Sequence, residues 1–175
     1  MPPFATVRHL ASRARYRTRQ YAKGLRPRVT PEEAATVRSL LTPVEQALFL
    51  AMQRRDQRHS LDLYRALAAE GASKDSLVAA LLHDVGKGHL HDWQRVLFVL
   101  LEAARPGLGR PLEAATGPDW RTGLWRLRHH ARLGAERLAG AGTAPRVVEI
   151  VAAHTRRLPV TDAEVARFIE WDSRT

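Results

Sequence analysis

The chain has no cysteine. Disulfides are excluded, and so is a thiolate-held metal; any metal must sit on nitrogen and oxygen donors, which suits Mn, Fe, Mg, Zn, Ni or Co. The absence fits a reducing, cytoplasmic setting. Long apolar runs are missing as well. The most apolar stretch, Val96 to Leu101, falls far short of the roughly 20 residues that a bilayer span requires. The N-terminus lacks the hydrophobic core of a secretory signal, and its basic, acid-free character resembles an organelle transit peptide in composition only. No stretch alternates apolar and polar residues for long enough to argue for a sheet, and no internal repeat is visible. Neither a Walker-type glycine loop nor a Gly-x-Ser-x-Gly elbow occurs, so P-loop chemistry and serine catalysis find no support.

What is present is a chain of 175 residues, 45% hydrophobic, which is long enough for one domain with a real core. Its net charge is +10. That excess favours polyanionic partners, although the arginine usage of a high-GC genome accounts for it equally well. Residues 1–29 carry eight basic residues (Arg8, Arg13, Arg15, Arg17, Arg19, Lys23, Arg26 and Arg28) and no acid. Phe4, Val7, Leu10, Ala14 and Tyr21 fall roughly on one helical face, so an amphipathic basic helix is expected there. The expected organisation is this basic segment, 1–29, ahead of a helical domain, 30–175. Weak nucleic-acid binding through 1–29 is one expected property; a solvated helix packed on the domain is the other reading.

From Thr30 onward the punctuation is helical. Thr30-Pro31-Glu32-Glu33 and Thr42-Pro43-Val44-Glu45 each place a capping threonine, a first-turn proline and a glutamate at the third position, and Thr161-Asp162-Ala163-Glu164 repeats the capping box. Helices are expected over 31–40, 43–70, 74–86, 92–104, 121–141, 144–156 and 162–172. Gly71, Pro106-Gly107, Gly140–Gly142 and Pro159 mark breaks. The fold class is all-α.

The residues that carry chemistry start with His83-Asp84, which closes the apolar run Leu81-Leu82 and precedes Val85-Gly86-Lys87. An ionisable pair in a core-forming segment costs free energy unless its desolvation is compensated, and a bound cation compensates it. Periodicity supplies further inward donors. His154 continues the face of Ile150 and Val151, Asp172 that of Phe168 and Ile169, and His130 lies three residues from both Leu127 and Leu133. His59 sits in the second helix. His129 cannot share the direction of His130, since neighbours on a helix diverge by about 100°. His91-Asp92 reads as a helix start rather than a ligand pair, and His9 and His89 have no supporting context, although His89 follows the motif closely enough to reach the site mouth.

The pattern His…His-Asp…His…His…Asp resembles the HD superfamily of metal-dependent phosphohydrolases, from about Glu45 to Asp172. Leu82-His83-Asp84-Val85-Gly86-Lys87 is similar to the family's His-Asp-Ile-Gly-Lys signature, with valine for isoleucine. His130-Ala131-Arg132-Leu133-Gly134-Ala135-Glu136 resembles the His-x-x-x-Gly-Ala-Glu segment of two-metal members. Ala153-His154-Thr155 and Trp171-Asp172-Ser173 resemble the remaining ligand segments, the last with tryptophan for alanine. The resemblance implies an HD-domain helical bundle with two divalent transition-metal ions, Fe or Mn first. His59, His83, Asp84 and Asp172 hold one ion; Asp84, His130 and His154 hold the other, with Asp84 bridging. It further implies hydrolysis of a phosphoester or phosphoanhydride by a hydroxide held between the ions, with Asp84 and Lys87 as catalytic residues.

Lys87, Arg58, Arg132, Arg156 and Arg157 are the expected phosphate contacts, the arginines by bidentate grip. The expected partner is a phosphate-containing small molecule, a nucleotide by preference. The six-ligand pattern also resembles bacterial diadenosine tetraphosphate hydrolases of HD type, but their Tyr-His-Thr-Thr-Gly reads Ala153-His154-Thr155-Arg156-Arg157 here. The HD-GYP cyclic-dinucleotide enzymes are disfavoured, because Thr155-Arg156-Arg157-Leu158-Pro159 stands in place of their Gly-Tyr-Pro. A nucleic-acid-binding or regulatory module that keeps the fold, or a single-strand nuclease, are the alternatives.

Overall fold

The computed structural model describes residues 29–175. Residues 1–28 lie outside them, and so does the amphipathic helix expected there. The described residues form eight α-helices: α1 (Pro31–Leu40), α2 (Pro43–Ala51), α3 (Arg54–Ala69), α4 (Lys74–Leu82), α5 (Asp92–Ala104), α6 (Asp119–Gly140), α7 (Pro145–Ala153) and α8 (Ala163–Asp172). A short 3-10 turn, Arg110–Leu112, precedes α6, and there is no strand among the described residues. None of the helices is long and apolar enough to cross a membrane.

The short helix α4 organises the bundle. Ala79, Ala80, Leu81 and Leu82 are wholly buried, as a helix apolar on every side must be. It packs against α2, α3, α7 and α8, so its C-terminal end emerges in the middle of the molecule. Full burial of each leucine here contributes about 1.5–3 kcal/mol. That interior is where the His83-Asp84 pair is delivered.

Two of the three expected capping boxes form, at Thr30 and Thr42; before α8 the cap is Asp162 and not Thr161, because the Asp162 carboxylate accepts from Glu164 N and Val165 N. Thr42 Oγ1 accepts from Glu45 N at 3.3 Å, and Glu45 Oε2 accepts from Thr42 N at 2.8 Å. Glu45 is buried, and its other oxygen accepts from Thr143 Oγ1 at 2.8 Å, so the cap also ties α2 to the start of α7. Replacing Thr42 by alanine is expected to cost about 1 kcal/mol, read as a lower urea midpoint at unchanged slope.

Three expected helices end elsewhere than the sequence suggests. The stretch 43–70 is two helices, broken at Met52 and Gln53. The buried Gln57 side chain explains the break, because its amide donates to the carbonyls of Leu50 (3.2 Å) and Met52 (2.9 Å) and satisfies the exposed end of α2. The helix expected over 74–86 stops at Leu82, and the one over 144–156 stops at Ala153. In both cases the next residue is a histidine in the C-cap position, His83 and His154. His91 and Asp92 open α5 as its N-cap and first residue, and Asp92 lies 3.5 Å from Arg55 on the surface.

Candidate metal centre

Six donors from five parts of the chain converge. His59 comes from α3, His83 and Asp84 from the turn after α4, His130 from α6, His154 from the turn after α7, and Asp172 from the end of α8. Beyond Leu82 the chain continues through tighter turns, Val85 N on Leu82 O and Lys87 N on Asp84 O, and there His83 Nε2 and Asp84 Oδ1 lie 3.5 Å apart.

The turn lies hard against α6, and glycine is what allows it. A Cβ on Gly86 would sit 2.0 Å from the carbonyl oxygen of His130 and 2.5 Å from Gly134 N. Gly134 faces it, and a Cβ there would rest at van der Waals distance from the turn, 3.4 Å from Gly86 N. The two glycines of the two motifs are thus one backbone crossing, and that crossing sets His130 beside Asp84.

Three imidazoles are held in the same way. The Nδ1–H of His83 donates to Ala80 O (3.0 Å), that of His130 to Leu127 O (2.7 Å) and that of His154 to Val151 O (2.6 Å). A carbonyl only accepts, so a proton sits on each Nδ1, and Nε2 is the atom that each ring turns inward. The Nε2 atoms of His130 and His154 lie 3.1 Å apart. Two lone pairs at that distance repel unless a cation lies between or beside them.

Other atoms in the cluster lack partners too. His83 Nε2 and Asp84 Oδ1 are buried without a hydrogen bond. His83 Nε2 stands 3.5 Å from Asp84 Oδ1 and 3.4 Å from Asp172 Oδ1, and His130 Nε2 is 3.8 Å from Asp84 Oδ1. The Nε2–H of His59 donates to Asp172 Oδ1 at 2.9 Å, which leaves its own Nδ1 buried and unpartnered. Ligand atoms of His59, His83 and Asp172 lie within 4.8 Å of one another, and so do those of His83, Asp84 and His154. Unpaired nitrogen and carboxylate donors in a buried pocket fit divalent cations, and the donor set suits a transition metal.

Electrostatics favour neutral rings at His130 and His154. Burial pushes His130 down to about 3, with Lys87 and His154 adding to the effect, and pushes His154 down to about 4, with His83 adding. Burial opposes a proton on His83 as well, yet Asp84 and Asp172 outweigh it and hold that ring up at about 9. A dication held by these side chains would take over the proton's role. The Asp84 and Asp172 carboxyls stay ionised, because their histidine and lysine neighbours outweigh burial.

These shifts predict a pH profile for metal-stripped protein. Below the ordinary histidine value of 6.5, the unfolded chain takes up protons that His130 and His154 refuse, so stability falls. Between 6.5 and about 9 the folded chain keeps on His83 a proton that the unfolded chain has released, so stability falls again as pH rises. Melting curves in excess chelator should therefore peak near pH 6.5. A melting temperature that rises steadily across pH 5–9 contradicts this arrangement.

Around the donors stands a shell that the sequence reading missed in part. Lys87 Nζ donates to Asp84 Oδ2 at 2.6 Å and lies 3.9 Å from Asp56 Oδ1. Asp56 is itself buried and accepts a bidentate pair from Arg95, at 3.0 and 2.6 Å. Burial opposes the Lys87 charge, but Asp84 and Asp56 raise its pKa. Asp56 stands one helical turn before His59, the only signal that could have found it; its pairing with Arg95 of α5 is a long-range contact. Phe168 is fully buried and meets the rings of His83 and His154 edge-on, at 5.9 and 6.4 Å.

The expected phosphate contacts are placed unequally. Arg58 is turned to Glu33, at 2.5 Å, and Asp62, at 3.2 Å, as part of an ion-pair cluster joining α3 to α1. Arg132 bonds Glu136 on the surface and lies over Trp125, two residues beyond His130 and about 200° round the helix from it. Neither is brought to the donor cluster. Arg156 and Arg157 are exposed in the turn after His154. His129 stacks against Trp125 and is not among the donors. One further arginine went unnoticed: Arg126, one turn before His130 on the same face of α6. Its Nη1 is 3.3 Å from where a Cβ on Gly88 would be, its Nη2 is 3.5 Å from Asp119, and its buried Nε has no partner.

With this geometry in place, the comparison with protein families is decisive. The family model for the HD domain matches residues 57–173. The chain belongs to the HD-domain family, whose domains bind divalent metals and which supports metal-dependent hydrolase activity. Neither the curated proteins nor the solved structures compared with the chain give a match.

Proposed function

We propose that this chain is a phosphohydrolase that cleaves a phosphoester or phosphoanhydride of a nucleotide-like substrate at a centre of two divalent metal ions, Fe or Mn. His59, His83, Asp84 and Asp172 are the ligands on one side, and Asp84, His130 and His154 those on the other. The observation that carries this reading is the facing pair of Nε2 atoms, His130 and His154 at 3.1 Å, each with its other nitrogen committed to a backbone carbonyl. Such ions, when bound, acidify water and neutralise charge on phosphate oxygens.

The chain's own residues do the rest. The Nδ1–H bonds of His83, His130 and His154 fix each ring's direction, and in the neutral rings of His130 and His154 they also fix the tautomer with Nε2 free. Lys87 is a positioning residue: by holding Asp84 Oδ2 it keeps Oδ1 turned toward the histidines. Phe168 closes the floor behind His83 and His154 and excludes bulk water from that side. Arg126, on the His130 face, is the arginine best suited to meet a phosphate oxygen.

The test is a panel of mononucleotides, dinucleoside polyphosphates and cyclic dinucleotides, assayed with Mn and with Fe. At least one is expected to be hydrolysed with inorganic phosphate or a nucleotide as product. For that substrate, Arg126→Ala should raise KM about tenfold, on the order of 1.4 kcal/mol, with metal content unchanged. No turnover of any phosphate ester by metal-loaded protein contradicts the reading.

A further inference from the structure

A second concavity adjoins α6. Its cavity volume is about 530 Å3, within the range of small-molecule sites, and it is lined by four arginines (Arg105, Arg110, Arg128 and Arg157) and a single carboxylate, Glu102. Arg128 and His130 are two residues apart, about 200° round the helix, so Arg128 leaves α6 on a different side from His130.

The charges in it are not balanced. Arg128 donates from Nη2 to Glu102 at 2.7 Å and from Nε to both oxygens of Glu113 at 2.7 Å, and it lies over the Phe98 ring. Glu102 also accepts from Gly107 N at 3.0 Å, which pins the loop after α5 against α6. Arg128 thus meets two carboxylates, Glu102 and Glu113, and Glu102 also lies in the field of Arg110, so four guanidinium groups face two acids. Arg105, Arg110 and Arg157 make no ion pair among the described residues, and they approach one concavity from the loop after α5, the 3-10 turn and the turn after His154. Three exposed guanidinium groups on one concavity make a positive field that favours an anion with several oxygens, and a guanidinium suits phosphate bidentately. Leu108 adds an apolar wall.

We infer that this cavity is a second anion site, which binds the phosphate chain of a small molecule apart from the donor cluster. The inference stands independently of the hydrolase reading, and it gives Arg157, expected to grip phosphate, a different address from the one first supposed.

The experiment is isothermal titration of inorganic tripolyphosphate into metal-loaded, full-length protein at 0.1 M salt. Arg105→Glu with Arg110→Glu should weaken the tighter binding event at least tenfold. Arg38→Glu with Arg54→Glu makes the same change of charge at exposed positions elsewhere and should change it less than twofold. Residues 1–28 are present in every variant, so their charge cancels from the comparison. Equal weakening in both pairs means diffuse attraction to a basic protein and overturns the proposal, and so does no weakening in the cavity pair. If the cavity pair fails to fold, Arg105→Gln with Arg110→Gln removes the charges without adding carboxylates beside Glu102, and the same ordering is required. Turnover of a chromogenic phosphodiester is read in parallel. Loss of tripolyphosphate binding with turnover intact supports the separate site, whereas absent turnover in the wild type bears only on the hydrolase reading.

Discussion

Replacing Gly86 by alanine is expected to lower the melting temperature by about 10 °C, the equivalent of roughly 3 kcal/mol in a protein of this size. The added methyl would lie 2.0 Å from His130 O and 2.5 Å from Gly134 N. Both are main-chain atoms, so no side-chain rotation relieves the contact, and either the turn after α4 or the whole of α6 must move. The φ of Gly86 is not in the left-handed region, so the penalty comes from crowding and not from backbone preference. Because the same crossing sets His130 beside Asp84, bound metal should fall with stability. Gly71→Ala is the contrasting case: its φ of +69° strains an alanine, but nothing lies within 4 Å, so a cost of about 1 kcal/mol with no effect on metal is expected.

The second large effect is expected from Asp84→Asn. The substitution keeps the shape and removes the charge on a residue only 1% exposed, which faces His83, His130 and Lys87. Hydrolysis should fall by about 1,000-fold or more, on the order of 4 kcal/mol of transition-state stabilisation. Metal should fall with it, since the carboxylate belongs to both proposed ligand groups. Lys87 keeps Asp56 as a neighbour at 3.9 Å, so helical circular dichroism should survive. Collapse of the fold in Asp84→Asn would show that Asp84 serves the core chiefly by neutralising Lys87. Near-normal turnover would remove it from the centre altogether.

Much of this was legible in the chain because it depends on local rules. The capping threonines before α1 and α2 state where those helices begin, and the inward faces of His154 and Asp172 follow from their apolar neighbours one turn earlier. The bounds of α1 and α5 match the expected ones because a cap and a glycine or proline lie close to each end. What escaped rests on contacts distant in sequence. No glycine or proline marks the break at Met52–Gln53, since the carbonyls there are satisfied by a glutamine four residues on. Nothing near Leu82 stops α4 either; its end follows from the approach to α6, which only the packed structure contains. Glu33 beside Arg58 stands 25 residues away in the chain, and Asp56 beside Lys87 and Arg95 stands 31 and 39 residues away. Arg132 was open to correction from helix geometry alone, because it lies two residues from His130.

The central claim is that the six converging side chains hold divalent metal, and metal content per chain tests it most directly. Full-length protein purified without chelator, loaded with Mn or Fe and then dialysed, should retain close to two ions per chain by elemental analysis. His154→Ala should retain about one, and His83→Ala fewer than one. Wild-type protein that retains less than one ion per chain, or a His83→Ala variant that retains as much as the wild type, contradicts the account.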